Sequence, residues 1–203
     1  MDGSLNFNVL AEDNIRTLKV SSQTFPKPLS IILVGYPGAG KTFLVERFKN
    51  ETPVTTFSEK NLTDFLAPRA TPLKREATEV FQLAVKTIEH LLIKGKACVY
   101  DGNLKTREQR ELVKKVVEDA GGRYLLISID TPKEICYSRV QKQNLAVGRG
   151  EAKGFILDKD LFEYEVATTK LPPLEESHYI FDGQTQESLV RTILYVKNLL
   201  YAA

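Results

Sequence analysis

Apolar and polar positions come in blocks along this chain, and the block lengths predict alternating strands and helices. Leu29 to Val34 is short and almost wholly apolar, as expected of a strand covered on both faces. From Thr42 to Glu51, Phe43, Leu44, Val45 and Phe48 fall at helical spacing, with Glu46, Arg47 and Lys49 elsewhere. Pro53 to Phe57 predicts a second strand. Thr71 to Lys94 predicts a long helix with Ala77, Phe81, Ala84, Ile88, Leu91 and Leu92 on one face, stopped at Gly95. A third strand over Ala97 to Tyr100 ends at Asp101-Gly102-Asn103, and Thr106 to Asp119 predicts a helix stopped by Gly121-Gly122. Tyr124 to Ile129 is the fourth strand, Pro132 to Asn144 a helix, Tyr179 to Phe181 a short fifth strand, and Gln186 to Tyr201 a closing helix. This alternation predicts an α/β domain with a five-stranded, mainly parallel sheet and helices on both faces. Right-handed crossovers then bring the strand C-terminal ends to one rim.

Composition narrows the picture without redirecting it. A chain of 203 residues suits one well-cored domain, here residues 29–203, with residues 1–28 set apart by Pro26 and Pro28 as an N-terminal arm of unread role. Hydrophobic and charged fractions of 42% and 27% are those of an ordinary globular protein. No apolar stretch nears membrane-spanning length and the N-terminus lacks a secretory pattern, so the expectation is a cytoplasmic protein without a membrane partner. Cys98 and Cys136 have no paired spacing and read as small buried residues. His90 and His178 have no partner at metal-ligand spacing and read as structural. A net charge of +2 neither demands nor excludes a nucleic-acid partner.

The chemistry is concentrated in Gly35-Tyr36-Pro37-Gly38-Ala39-Gly40-Lys41-Thr42, which matches G-x-x-x-x-G-K-[ST] between a strand and a helix. Its glycines let backbone N–H groups wrap around phosphates, and the following helix adds its dipole. The nucleotide-binding set is therefore Tyr36, Pro37, Gly38, Ala39, Gly40, Lys41, Thr42 and Phe43. Lys41 would reach the β- and γ-phosphates, and the Thr42 hydroxyl would ligate Mg²⁺ brought with ATP. Asp101 ends a buried strand on the same rim, where it would hold a magnesium-bound water or touch the acceptor; the alternative is a solvated strand-end carboxylate.

Three blocks together resemble the small P-loop kinases of the AAA domain (AAA_33-like) group, which includes polynucleotide 5′-kinase, zeta toxin and chloramphenicol phosphotransferase. They are GYPGAGKT at 35–42, VYDGNLKTREQREL at 99–112 and SIDTPKEICYSRV at 128–140, and the similarity spans roughly residues 29–182. The resemblance implies a P-loop NTPase fold of the kinase type with a lid, Asp101, Asn103, Arg107 and Arg110 in the second block, and Asp130, Pro132 and a lid arginine, Arg139, in the third. Arg139 would serve both nucleotide binding and catalysis; its alternative is a surface helix arginine.

Two departures from the group's pattern stand out. A second lid arginine is replaced by Gln143, and Arg149, in Val147-Gly148-Arg149-Gly150, would substitute for it or be an exposed loop charge. The Asp-x-x-Arg element after the second strand is missing from Ser58-Glu59-Lys60-Asn61-Leu62-Thr63-Asp64, leaving Glu59 and then Asp64 as base candidates, unless they are ordinary helix-start acids. Acceptor binding falls to Arg69, Asn103 and Arg107, with Lys74, Arg75 and Lys114 nearby; a solvated surface is the other reading of these charges.

Two function classes follow. The first is an ATP-dependent kinase acting on a hydroxyl or phosphate of a small molecule or nucleotide, with polynucleotide 5′-hydroxyl ends a lesser variant. The second is an ATP-binding switch or slow ATPase. A guanine-reading Asn-Lys-x-Asp element is absent, and Asp119-Ala120-Gly121-Gly122 lies at a predicted helix end rather than at a strand end, which weakens a GTPase reading.

Overall fold

The computed structural model describes residues 5–67, 76–152 and 156–202. Five strands, β1 (Leu29–Val34), β2 (Thr55–Ser58), β3 (Cys98–Asp101), β4 (Arg123–Asp130) and β5 (Tyr179–Asp182), form one sheet in the order β2-β3-β1-β4-β5. Every pairing is parallel, with Ile31 opposite Val99 on one side of β1 and Leu125 on the other. β1 is buried at all six positions, which its unbroken apolar run required.

Eight helices cover the sheet among the described residues: α1 (Phe7–Thr17), α2 (Lys41–Glu51), α3 (Glu59–Leu66), α4 (Glu76–Ile93), α5 (Arg107–Asp119), α6 (Lys133–Gly148), α7 (Lys159–Thr168) and α8 (Gln186–Tyr201). Alternate sheet residues feed two cores. Ile31, Leu33, Val99 and Ile127 pack with Leu44 and Phe48 of α2, Cys136 of α6, Phe162 of α7 and Val196 of α8. Ile32, Val34, Cys98 and Leu126 pack on the opposite face with Ala11 of α1, Leu62 of α3, Leu83 of α4 and Val113 of α5. The two cysteines are buried and free.

The N-terminal stretch contains a helix that periodicity did not predict. Asn6 caps α1 through its side chain, and Ala11, Asn14 and Ile15 are buried against α4, where the Asn14 amide donates to Thr87 Oγ1 at 3.3 Å. Helix α7 was also unforeseen: it starts on an Asp158 cap and buries only Phe162, so its sequence carries no apolar stripe. Helix α6 runs four residues beyond the expected Asn144 and takes in Val147 and Gly148, because no breaker precedes Gly148. The long-helix expectation holds over α4, and its stop at Gly95 is marked by the Gly95 and Lys96 N–H groups donating to Leu92 and Leu91. Residues 71–75 lie outside the described residues.

Candidate active site

The glycine loop joins the C-terminal end of β1 to α2, with Gly40 as the helix N-cap. Gly38 has φ +79°, and a Cβ there would lie 2.3 Å from the Cys136 carbonyl oxygen of α6. Only glycine lets this loop lie so close to that helix. Lys41 folds over the loop, its ammonium donating to the carbonyls of Gly35 at 2.6 Å and Tyr36 at 3.1 Å. Burial holds its pKa down to about 8, opposed first by the nearby Asp101 carboxylate and then by Cys136 and Glu165.

Asp101 ends β3 in register with Ser58 of β2. Burial raises its pKa, while the neighbouring Thr42 hydroxyl and the charge of Lys41 pull it back. Thr42, Asp101 and Lys41 therefore share one corner of the rim. The hydroxyl and carboxylate oxygens of that corner are hard donors, which suits Mg²⁺; among the described residues no group of three or more His, Cys, Asp or Glu is placed to hold a metal ion by itself.

The base candidates sit on α3. Ser58-Glu59-Lys60-Asn61 is a capping box, with the Asn61 N–H donating to Ser58 Oγ at 3.0 Å and the Ser58 N–H to Asn61 Oδ1 at 3.1 Å. Glu59 is the exposed first residue of that helix. Its charge, together with Asp101 and after burial, pushes the Tyr100 phenol upward, so Glu59, Tyr100 and Asp101 are electrostatic neighbours. Asp64 lies one turn further, in an exposed ion pair with Lys60 at 2.8 Å.

Arg139 of α6 binds the loop itself. Its guanidinium donates to the carbonyls of Gly38 (3.3 Å), Ala39 (3.1 Å) and Gly183 (2.8 Å), tying α6, the glycine loop and the β5–α8 turn together. It also walls two adjoining cavities. One, of about 370 Å³, is lined by Gly40, Phe43, Phe181, Gly183 and Gln184, with the Phe43 side chain 57% exposed. The other, of about 490 Å³, is lined by Gly38, Thr42, Gln143, Asn144 and Leu157. Gln143, at the place of the missing arginine, thus faces the phosphate loop, whereas Arg149 stands exposed at the C-cap of α6.

The expected acceptor residues separate. Asn103 follows Asp101 on the rim and donates to Thr169 Oγ1 at 3.2 Å. Arg107 is exposed, paired with Glu111 at 3.6 Å, and lines a different groove of about 740 Å³ along α5, which reaches the N-terminal ends of β1, β4 and β5. Arg110 is 1% exposed and makes two bonds to the Glu176 carboxylate, at 2.6 and 2.7 Å, plus bonds to the Leu104 and Lys170 carbonyls. It is a structural clamp. Arg69, Lys74 and Arg75 lie outside the described residues. His178 directs Nδ1 to the Glu176 carbonyl at 2.6 Å, and His90 lies 3.4 Å from Asn8 Oδ1.

Two further residues near Lys41 escaped the sequence reading. Lys105, in the β3–α5 loop, pairs with Glu165 of α7 at 2.6 Å, and both are felt electrostatically at Lys41. Lys105 was in plain view two positions beyond Asn103, whereas Glu165 carried no signal, because α7 itself was not foreseen. No helix among the described residues is long and apolar enough to cross a membrane.

Comparison with known proteins agrees with this geometry. An adenylate kinase from Deinococcus deserti is 28% identical over 134 residues, 60% of this chain and 68% of the relative. A putative kinase from Chloroflexus aurantiacus superposes with a TM-score of 0.66 at 16% identity, covering 86% of this chain and 97% of that one. Kti12 from Chaetomium thermophilum, in complex with ADP-AlF3, superposes with a TM-score of 0.64 at 13% identity, covering 86% and 100%. These structures share the parallel P-loop kinase-like fold. The family model described as AAA domain matches residues 31–155, from β1 through the glycine loop, the Asp101 rim and α6, and the chain belongs to that AAA domain (AAA_33) family.

Proposed function

We propose that this protein is an ATP-dependent phosphotransferase that moves the γ-phosphoryl group to a small-molecule or nucleotide acceptor. The observation that carries the reading is the corner where the Thr42 hydroxyl and the Asp101 carboxylate lie beside the Lys41 ammonium, at the mouth of the glycine loop. Phosphoryl transfer needs little covalent chemistry from the protein; it needs alignment and neutralisation of charge on the transferring oxygens. The backbone N–H groups of residues 38–42 would cradle the phosphates, with Lys41 supplying a fixed positive charge. Mg²⁺, when bound with ATP, would supply charge neutralisation at the transferring phosphates, and Thr42 and Asp101 are the residues that would hold it, Asp101 directly or through water.

The nucleotide base would enter the cavity between Phe43 and the β5–α8 turn. Arg139, its donors already committed to three carbonyls, would offer a guanidinium face there and hold the loop in shape. Glu59 would accept the acceptor proton, being the exposed carboxylate next to Asp101 across the β2–β3 pair. Arg149 would reach the phosphates only through movement of the segment after α6. The kinase names carried by the Deinococcus and Chloroflexus proteins support the same class of reaction.

Glu59→Gln and Asp101→Asn test the division of labour. Glu59→Gln is expected to lower kcat by about 10²-fold or more with its magnesium requirement unchanged, as for loss of a general base. Asp101→Asn is expected to raise the magnesium concentration needed for half-maximal rate. Wild-type rates from both variants would overturn both roles.

A further inference from the structure

We propose that the phosphoryl donor is selected by its triphosphate and the flat face of its base, so that GTP serves as well as ATP; this rests on the phosphotransferase reading and names its donor class. Adenine and guanine differ along one edge, where adenine carries an amino donor and guanine a carbonyl acceptor beside N–H donors. A site that discriminates strongly needs polar groups fixed against that edge. Apolar surface alone separates near-isosteres by about 10²-fold at most.

The turn between β5 and α8 bounds the base cavity of about 370 Å³, and its fixed polar groups are engaged within the protein. The Asp182 carboxylate, the group best suited to guanine's paired donors, accepts the Gln184 N–H through Oδ1 and the Thr185 hydroxyl through Oδ2, both at 2.9 Å. The Thr185 hydroxyl accepts in turn from the Ser188 N–H at 3.3 Å, and the Thr185 carbonyl takes the Leu189 N–H at 3.2 Å. Arg139 holds the Gly183 carbonyl at 2.8 Å, and an oxygen engaged by a cation is a weakened acceptor for a second donor. Reorienting the turn is obstructed, since a Cβ on Gly183 would lie 2.1 Å from Thr131 Oγ1 and 2.7 Å from the Ala39 carbonyl oxygen. The backbone is wedged against the glycine loop.

The remaining lining treats both bases alike. Gln184 and Gln186 border the cavity and are exposed. A glutamine amide has a donor end and an acceptor end, and it rotates to suit either edge. Phe43, 57% exposed, and the Arg139 guanidinium offer flat surfaces, which stack on any base. The base also stands outside the chemistry. The acceptor oxygen bonds to the γ-phosphorus as the bond to the β–γ bridging oxygen breaks, any acceptor proton passes to the Glu59 carboxylate, and the nucleoside diphosphate leaves.

The test is calorimetric titration of the full chain, in Mg²⁺, with the β,γ-imido analogues of ATP and GTP. Their Kd values should agree within about tenfold, far inside the about 10⁴-fold gap of an edge-reading site. Phe43→Ala should weaken both in parallel by at least about fivefold, as removal of a stacking ring does, and Phe43→Tyr, which keeps a ring, should restore both. A preference wider than about tenfold for either analogue would overturn the proposal and leave the phosphotransferase reading intact, as would unchanged affinities in Phe43→Ala. Failure of both analogues to bind wild type would overturn the two together.

Discussion

Lys41 carries a half-buried ammonium, and burial holds its pKa down to about 8. Free protein therefore begins to lose that proton just above neutrality, while bound phosphates favour the charged form. We expect kcat/KM for ATP to fall as pH rises through about 8, with kcat, which reports the nucleotide complex, holding to higher pH. The stability consequence has a definite sign. Between about 8 and the ordinary lysine value of 10.5 the unfolded chain binds more protons than the folded one, so stability without nucleotide rises with pH across that window and is flat with respect to Lys41 below it. Lys41→Met should remove this pH dependence in thermal melts; a wild-type slope retained in the variant would contradict the assignment. At this scale the sequence was most informative where backbone geometry dictates residue type. The octapeptide 35–42 specified its loop, and Asp101 its strand end. The partners of Arg110 and Arg139 could not be read, because Glu176 lies 66 residues from one and Gly38 and Ala39 about 100 from the other.

Between elements, the critical contact is the glycine loop against α6. Gly38→Ala would place a methyl group 2.3 Å from the Cys136 carbonyl at a positive φ, so the loop or the helix must move. Gly121→Ala has a comparable φ of +74° but meets nothing within 4 Å, and so isolates the backbone penalty of about 1 kcal/mol. Urea unfolding should show Gly38→Ala losing about 1–3 kcal/mol more than Gly121→Ala, with the ATP KM raised only in the former. Equal losses would mean that the α6 contact is not tight. Element prediction worked where an apolar stripe was long, as in α4 and α8, or where a run was fully apolar, as in β1. It failed where a helix buries little: α1 buries three residues and α7 one, and their clearest marks are the caps Asn6 and Asp158 rather than any stripe.

Over the whole molecule, strand number and direction followed from alternation, but the order β2-β3-β1-β4-β5 did not, since non-local pairing leaves no period in the sequence. That order sets β1 between β3 and β4, and so brings the glycine loop beside Asp101. The Arg110–Glu176 pair then fastens the segment before β5 to α5. Removing one partner of a buried pair strands a charge, so Glu176→Ala should lose about 3–5 kcal/mol in urea unfolding, with ATP affinity retained in the folded fraction. A loss below about 1 kcal/mol would deny the clamp its structural role.

The central claim, that the glycine loop serves phosphoryl transfer from ATP, is tested most directly by following γ-labelled ATP with wild type and Lys41→Ala, in Mg²⁺ and in chelator. The account predicts magnesium-dependent consumption of ATP by wild type and a loss of at least about 10²-fold in Lys41→Ala with the fold intact, on the scale of a removed charge-stabilising donor. Equal turnover by both proteins, or turnover that survives chelation, would contradict it.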